Sequence, residues 1–284
     1  MASRRALRTL MMTVALLATS GPALAQGVVD LRVTGNQLTG RVDLPGGIGV
    51  DLTLGFESVS GLDLNALRVT AQLVNPLDLV LRSRLPAGVG IPVALPVVIK
   101  IRPTTNSKLT FKGMYTLELH TENLSLGVNS PLRLYKAPDG GKFKDTTLTM
   151  GVGSYRVRAG GGSFSEFMIV LDLRTLRSAT RTKFNDLEAT LTANASRITG
   201  GVYGQLWSLL ASARSAYNAG DLSAALAHLD AFTDTVRAHS GTNIPDVWKA
   251  NSGLVNVAGL LRQDAGTLRF NVSLEKNGLL ASLF

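Results

Sequence analysis

The chain reads as an α+β protein: an antiparallel β-sandwich of Ig-like type, then a small helical bundle, then a strand that returns to the sheet. Three observations predict it. Apolar and polar residues alternate from Val28 to about Arg174, as in strands buried on one face. From about Leu176 the apolar residues recur at helical spacing, as on a buried helix stripe. Alternation then resumes at Leu268 and runs to Leu274. The expected units are 1–25 as leader, 26–175 as β domain, 176–265 as helical bundle, and 266–284 as closing strand and tail.

The leader comes first. Arg4, Arg5 and Arg8 precede an apolar run from Leu10 to Ala18, and Ala23-Leu24-Ala25 places small residues at both positions a signal peptidase reads. Cleavage is expected between Ala25 and Gln26, with the protein exported to the periplasm or beyond. The apolar run is short for a membrane span, so an integral membrane protein is not expected. Export also separates the chain from nucleotide cofactors, and no cofactor is expected. There is no cysteine, which excludes disulfide staples, a thiolate nucleophile and sulfur-ligated zinc. The formal charge of +9 includes the three leader arginines and is spread without a Lys/Arg-rich run. That balance suits weak attraction to an anionic polysaccharide or another envelope component. Nucleic acid is not an expected partner, because no basic stripe with interleaved aromatics occurs.

In the β half, Ile48, Val50, Leu52, Leu54 and Phe56 alternate with Gly49, Asp51, Thr53, Gly55 and Glu57. Leu109, Phe111, Tyr115, Leu117 and Leu119 repeat the pattern, as do Leu67–Leu73, Leu79–Leu85, Val93–Ile101 and Phe167–Leu173. Turn residues separate these runs: Pro45-Gly46-Gly47, Asn75-Pro76, Pro86-Ala87-Gly88, Pro138-Asp139-Gly140-Gly141 and Gly160-Gly161-Gly162-Ser163. About eight to ten strands at this spacing predict a sandwich. Leu148, Met150 and Val152 slip by one residue to Tyr155 and Val157, which predicts a bulge beside Gly153.

In the helical half, Phe184, Leu187, Leu191, Ala195 and Ile198 share one stripe, and Leu206, Leu210, Ala213 and Tyr217 another. Gly220-Asp221 ends one helix and caps the next, whose stripe is Leu222, Leu226, Leu229, Phe232 or Thr233, and Val236. Ser240-Gly241 closes it, and Pro245 suits the first turn of a last helix bearing Val247, Leu254, Val257 and Leu261. Finally Leu268, Phe270, Val272 and Leu274 alternate with polar residues. A lone strand cannot bury its apolar face, so this one is expected to return to the sheet.

The stretch Gly220-Asp221-Leu222-Ser223-Ala224-Ala225-Leu226-Ala227-His228-Leu229-Asp230-Ala231-Phe232, followed by Val236 and Gly241, resembles the helical module of the FIMAH-type domain. In that family a helix of the pattern GD..A...L..F pairs with its neighbours, and the module stands beside varied domains of exported bacterial proteins. The resemblance implies an extracellular context and no reaction. The whole layout is similar to an uncharacterised family of secreted bacterial proteins.

Chemistry is sparse. His228 and His239 would lie roughly 16 Å apart along one helix, too far to share a metal. His120 shares a strand face with Glu118, a pair able in principle to do acid–base work, although an exposed sheet face also explains it. Asp230, Asp234 and Arg237 read as a solvated helix face. Asp139 and Asp145 lack the oxygen spacing of a calcium loop, and no metal site is expected. Ser273-Leu274-Glu275-Lys276 matches S-x-x-K but reads as strand, whereas that chemistry belongs at a helix start. The glycine run at Gly160 could cradle an anion; a hairpin loop is its plainer use. Trp207 reads as packing on its helix. Tyr135 and Tyr155 alternate with basic residues near the Pro138 turn and, with Trp248 beside Lys249, are the surface candidates for a ligand patch. No catalytic residue is assigned.

Three function classes follow. The first is an exported, non-catalytic binding or surface-organisation protein. The second is a secreted hydrolase of cell-wall or polysaccharide material, using carboxylates that converge only in the fold. The third is an outer-membrane barrel, disfavoured by aromatics at only 6% and by the long helical interruption.

Overall fold

The alternating half folds mostly as strands, broken at the glycine and proline turns and by one short helix, in a computed structural model that describes residues 27–127, 130–151 and 153–281. Residues 1–25, expected as the leader, Val152 and Phe284 lie outside the described residues. In chain order the elements are β1 (Val28–Thr34), β2 (Gln37–Leu44), β3 (Ile48–Ser60), β4 (Leu67–Leu73), α1 (Leu79–Ser83), β5 (Val89–Gly90), β6 (Val97–Pro103) and β7 (Thr110–Ser125). There follow β8 (Leu132–Ala137), β9 (Lys144–Asp145), β10 (Thr147–Gly151), β11 (Ser154–Gly161) and β12 (Glu166–Asp172). The helical half holds α2 (Leu176–Ala193), α3 (Val202–Asn218), α4 (Leu222–His239), β13 (Val247–Lys249) and α5 (Val257–Ala281).

The strands form two antiparallel sheets. The larger runs β1-β2-β3-β7-β11-β10, with β13 added to β7, and the smaller runs β4-β6-β12-β8-β9, with β5 added to β12. Both sheets are open paths, so the described strands do not close into one barrel. Val42, Leu52, Leu54, Leu117 and Val157 of the larger sheet share one apolar core with Leu67, Val69, Ile99, Leu134 and Phe167 of the smaller. The slip near Gly153 is present: Gly153 has φ 93°, and the β11–β7 register shifts between Ser154 and Tyr155.

Helices α2, α3, α4 and α5 bury a second core of Phe184, Leu187, Leu206, Leu210, Tyr217, Leu229, Phe232, Val236 and Leu261. Asp221 caps α4 as its sequence position requires, its carboxylate accepting from Ala224 N at 2.9 Å.

Three expected elements are different. Leu79–Leu85 is not a strand. Asp78 accepts from Val80 N and Leu81 N and so starts the short helix α1, which crosses the outer side of the smaller sheet. The last helix does not begin at Pro245, because Val247–Lys249 pairs with β7 as a strand and the helix starts at Val257. The closing strand at Leu268–Leu274 is part of α5. Residues two apart on a helix point about 200° apart, so a helix buried on opposite sides produces an alternating pattern. Leu268 and Val272 face the helical core, while Phe270 and Leu274 join the core of the sheets.

Candidate functional site

Polar side chains are buried where the β8–β9 edge of the smaller sheet meets α2 and α5. On β8, Leu132 and Leu134 enter the sheet core, and Lys136 follows them in the same phase. Its ammonium therefore ends inside the molecule. Nζ donates to Gln263 Oε1 of α5 at 3.1 Å, lies 3.5 Å from Ser163 Oγ, and sits over the Tyr115 ring. Burial, together with the nearby Lys144, pushes the Lys136 amine down to about 7, although Asp264 opposes the shift.

The glycine run makes this approach possible. A Cβ on Gly161 would fall 2.5 Å from Tyr115 Oη and 2.9 Å from Lys136 Nζ. A Cβ on Gly162 would fall 2.6 Å from the Asn256 carbonyl oxygen, at the start of α5. The run is thus a packing device that seats α5 and Lys136, and the plain hairpin-loop reading is corrected.

Around Lys136 lies a cavity of about 530 Å³, lined also by Lys142, Lys144, Ser163, Ser165 and Asp186. Lys144 Nζ holds both oxygens of Asp264 at 2.8 and 2.9 Å, and Thr190 Oγ1 donates to the same carboxylate. Asp186 accepts no side-chain hydrogen bond from the described residues. Burial raises its carboxyl above the usual aspartate range, an effect that Lys144 resists and Asp264 reinforces.

A second hollow of about 270 Å³ shares Lys142, Lys144 and Asp186, and is walled by Tyr135, Arg174 and Lys183. Here Tyr135 donates to Asp172 Oδ2 at 2.8 Å, and Arg174 Nη2 donates to the Tyr135 hydroxyl at 2.7 Å. Burial alone would raise Asp172, yet the bonds from Arg174 and Tyr135 hold it below the usual range. Lys183 and Asp145, both buried, pair at 2.7 Å. Asp145, Asp172 and Asp264 are each engaged by a cation. Among the described residues, a converging pair of free carboxylates, as a glycosidase requires, does not form in this seam.

The expected surface patch is redistributed. Tyr135 and Tyr155 are both fully buried. Tyr155 is in phase with Val157 and Ala159 and enters the sheet core, while Tyr135 packs in the outer cluster beneath α1. The strand carrying Tyr135 is covered on both sides, so its neighbours Arg133 and Lys136 are buried as well. Trp248 is half-buried, stacked on Phe111 at 5.2 Å and edge-on to Phe164 at 4.9 Å. Tyr135 borders the smaller hollow of the seam. Trp207, expected in packing, is 40% exposed beside Tyr203.

The histidine pairing also differs. Glu118 binds Arg156 and Arg158, and His120 looks elsewhere. Its Nδ1 lies 3.2 Å from Asp51 Oδ2 and its Nε2 2.6 Å from Ser154 Oγ, a carboxylate–imidazole–hydroxyl chain on the outer face of the larger sheet. Ser273 and Lys276 lie near the end of α5 rather than on a strand, and still not at a helix start. Lys136 carried a readable signal, being a lysine in the apolar phase of Leu132 and Leu134. Gln263 and Asp264 likewise interrupt an apolar helix run. Ser163 and Asp186 carried none.

Fold and site together define a mixed protein of two antiparallel sheets and five α-helices among the described residues, with a charged seam between them. Residues 13–276 match the model of a family of unknown function, DUF6689, and the chain belongs to that family. No curated protein matches it. No helix among the described residues is long and apolar enough to cross a membrane.

Proposed function

We propose that this is an exported, non-catalytic binding protein of the cell envelope that takes an acidic ligand group, such as a uronate or phosphate on a glycan, into the seam. On this reading residues 1–25 are a cleaved leader, the sheets form an Ig-like sandwich, and residues 176–265 are a FIMAH-like bundle whose α2, with α5, walls the site. The observation that carries it is the grouping of Lys136, Lys142 and Lys144 with the Ser163 and Ser165 hydroxyls around one cavity. Amines and hydroxyls are the donors an anionic oxygen needs. An incoming anion would also recharge Lys136, whose proton is loosely held when the cavity is empty.

Titration calorimetry against acidic and neutral oligosaccharides tests the reading. Acidic ligands should bind, with affinity falling as pH rises through about 7, where Lys136 loses its proton. Lys136→Met should abolish binding. Equal binding of neutral ligands, or a Lys136→Met variant that binds as before, would refute it. Intact mass of the exported chain should place its first residue at Gln26.

A second reading, a secreted hydrolase, is favoured by the Asp51–His120–Ser154 chain. His120 could accept the Ser154 proton while Asp51 orients the ring. Labelling of Ser154 by a fluorophosphonate, lost in His120→Ala, would support it. An unlabelled wild-type chain would end it.

A further inference from the structure

We propose that the outward side of α1, with the basic strip beside it, is a docking surface for an anionic lipid bilayer. Leu77, Leu79 and Val80 are 71%, 79% and 76% exposed, three large apolar side chains within four residues. Val93, 82% exposed, stands in the adjoining loop, which is tied to the α1 lead-in by the Val74 N to Pro96 O bond at 2.8 Å. Single exposed aliphatics are ordinary on protein surfaces, whereas a group of them marks a contact surface.

The mount is rigid, so the exposure does not come from a loose segment. Leu81 and Leu85 are buried with Val98, Phe143, Met168 and Val170. Arg84 donates to the Gly141 carbonyl at 2.7 Å, lies over the Phe143 ring at 4.6 Å and pairs with Glu166. The fold thus holds Leu79 and Val80 outward.

Charge selects the occupant. The same outer side of the smaller sheet carries Arg68, Lys100 and Arg102, with Arg68 directly opposite Arg102 in the β4–β6 register. Glu166 and Asp139 engage Lys100, and Asp139 engages Arg102. Arg68 and Arg82, both exposed, meet no carboxylate among the described residues. Asp78 is already committed to capping α1. A second copy of the chain would bring these arginines against their own kind. An anionic bilayer instead offers phosphates at the level of the arginines and acyl chains below them for Leu79 and Val80. This inference is independent of the ligand in the seam.

Co-sedimentation with vesicles tests it, using the protein as its host processes it so that every variant shares one N-terminus. The wild type should pellet with phosphatidylglycerol-rich vesicles, weakly with pure phosphatidylcholine, and less as salt rises. Leu79→Glu with Val80→Glu should weaken partitioning about tenfold or more, since two apolar anchors are lost. Thermal unfolding should be unchanged, both side chains being exposed. Arg82→Glu should weaken binding on the anionic vesicles alone. A double variant that pellets like wild type would overturn the proposal, and so would a wild type that stays in the supernatant. A dimer in sedimentation velocity that depends on Leu79, without vesicle binding, would overturn it in favour of self-association.

Discussion

Between the two sheets, Phe56, Phe111, Tyr115, Phe164 and Trp248 pack ring on ring, with centroids 4.9 to 6.4 Å apart. Where β8 and β9 meet α2 and α5, buried lysines and aspartates take the place of rings. Both regions are shielded from water, yet they hold together differently. The sheet core gains from area removed from water and from close packing, which need no particular partner. The seam depends on matched pairs, because each buried charge is costly unless its partner is present. Cavities open beside the pairs, where long side chains reach across a gap that rings would fill. The difference teaches where buried charge makes this protein sensitive to pH: in the seam.

The largest expected effect falls in the sheet core. Phe111→Ala removes a ring in contact with four others and should cost about 3–5 kcal/mol. Urea unfolding reads this directly, and a cost under about 1 kcal/mol would mean that these rings are not packed as a core.

The seam should respond to broken pairing rather than to lost volume. Lys183→Met strands Asp145 in the interior and should cost about 3 kcal/mol. Adding Asp145→Leu should recover most of that loss, whereas two changes in an apolar core would compound. If the double variant is no better than the single one, the seam is held by packing and the contrast fails.

Lys136 sharpens the comparison through pH. The folded chain releases its proton near pH 7, while the unfolded chain holds it to about 10.5. Between those values the unfolded state binds more protons, so stability rises as pH increases through the window. Below about pH 7 the cost of charging the buried amine is present in full. Lys136→Met should remove the slope between pH 7 and 10 and raise stability at pH 6 by about 1–3 kcal/mol. An unchanged slope in denaturation midpoints across that range would place Lys136 in water.

The smallest effect lies outside both regions. Asp221→Ala removes the cap of α4 and should cost about 1 kcal/mol. Circular dichroism should show the sheet signal unchanged.

Much of the fold was legible because it rests on local rules. Alternation at Ile48–Phe56 and Leu117–Leu119 reports a strand with one buried side, and the stripes at Phe184–Leu191 and Leu229–Val236 report helices with one buried side. Gly220-Asp221 marks a helix boundary whatever lies around it. Leu268 to Leu274 was misread for a physical reason. A helix buried on two opposite sides carries two interleaved i, i+4 stripes, and in sequence these look like a strand. Tyr135 was misread in the same way, since a strand covered on both sides no longer separates surface from core by phase.

The sequence by itself determined where the longer strands and helices with one dry face lie, the short helix α1 excepted, and where turns and caps interrupt them. Backbone geometry and side-chain periodicity settle these within a few residues of the chain. Only the tertiary structure decided which elements have two dry faces, that α5 joins both cores, and that Lys136, Ser163 and Asp186 line one cavity. Those outcomes depend on what packs against each face, and the packing partners lie far apart along the chain.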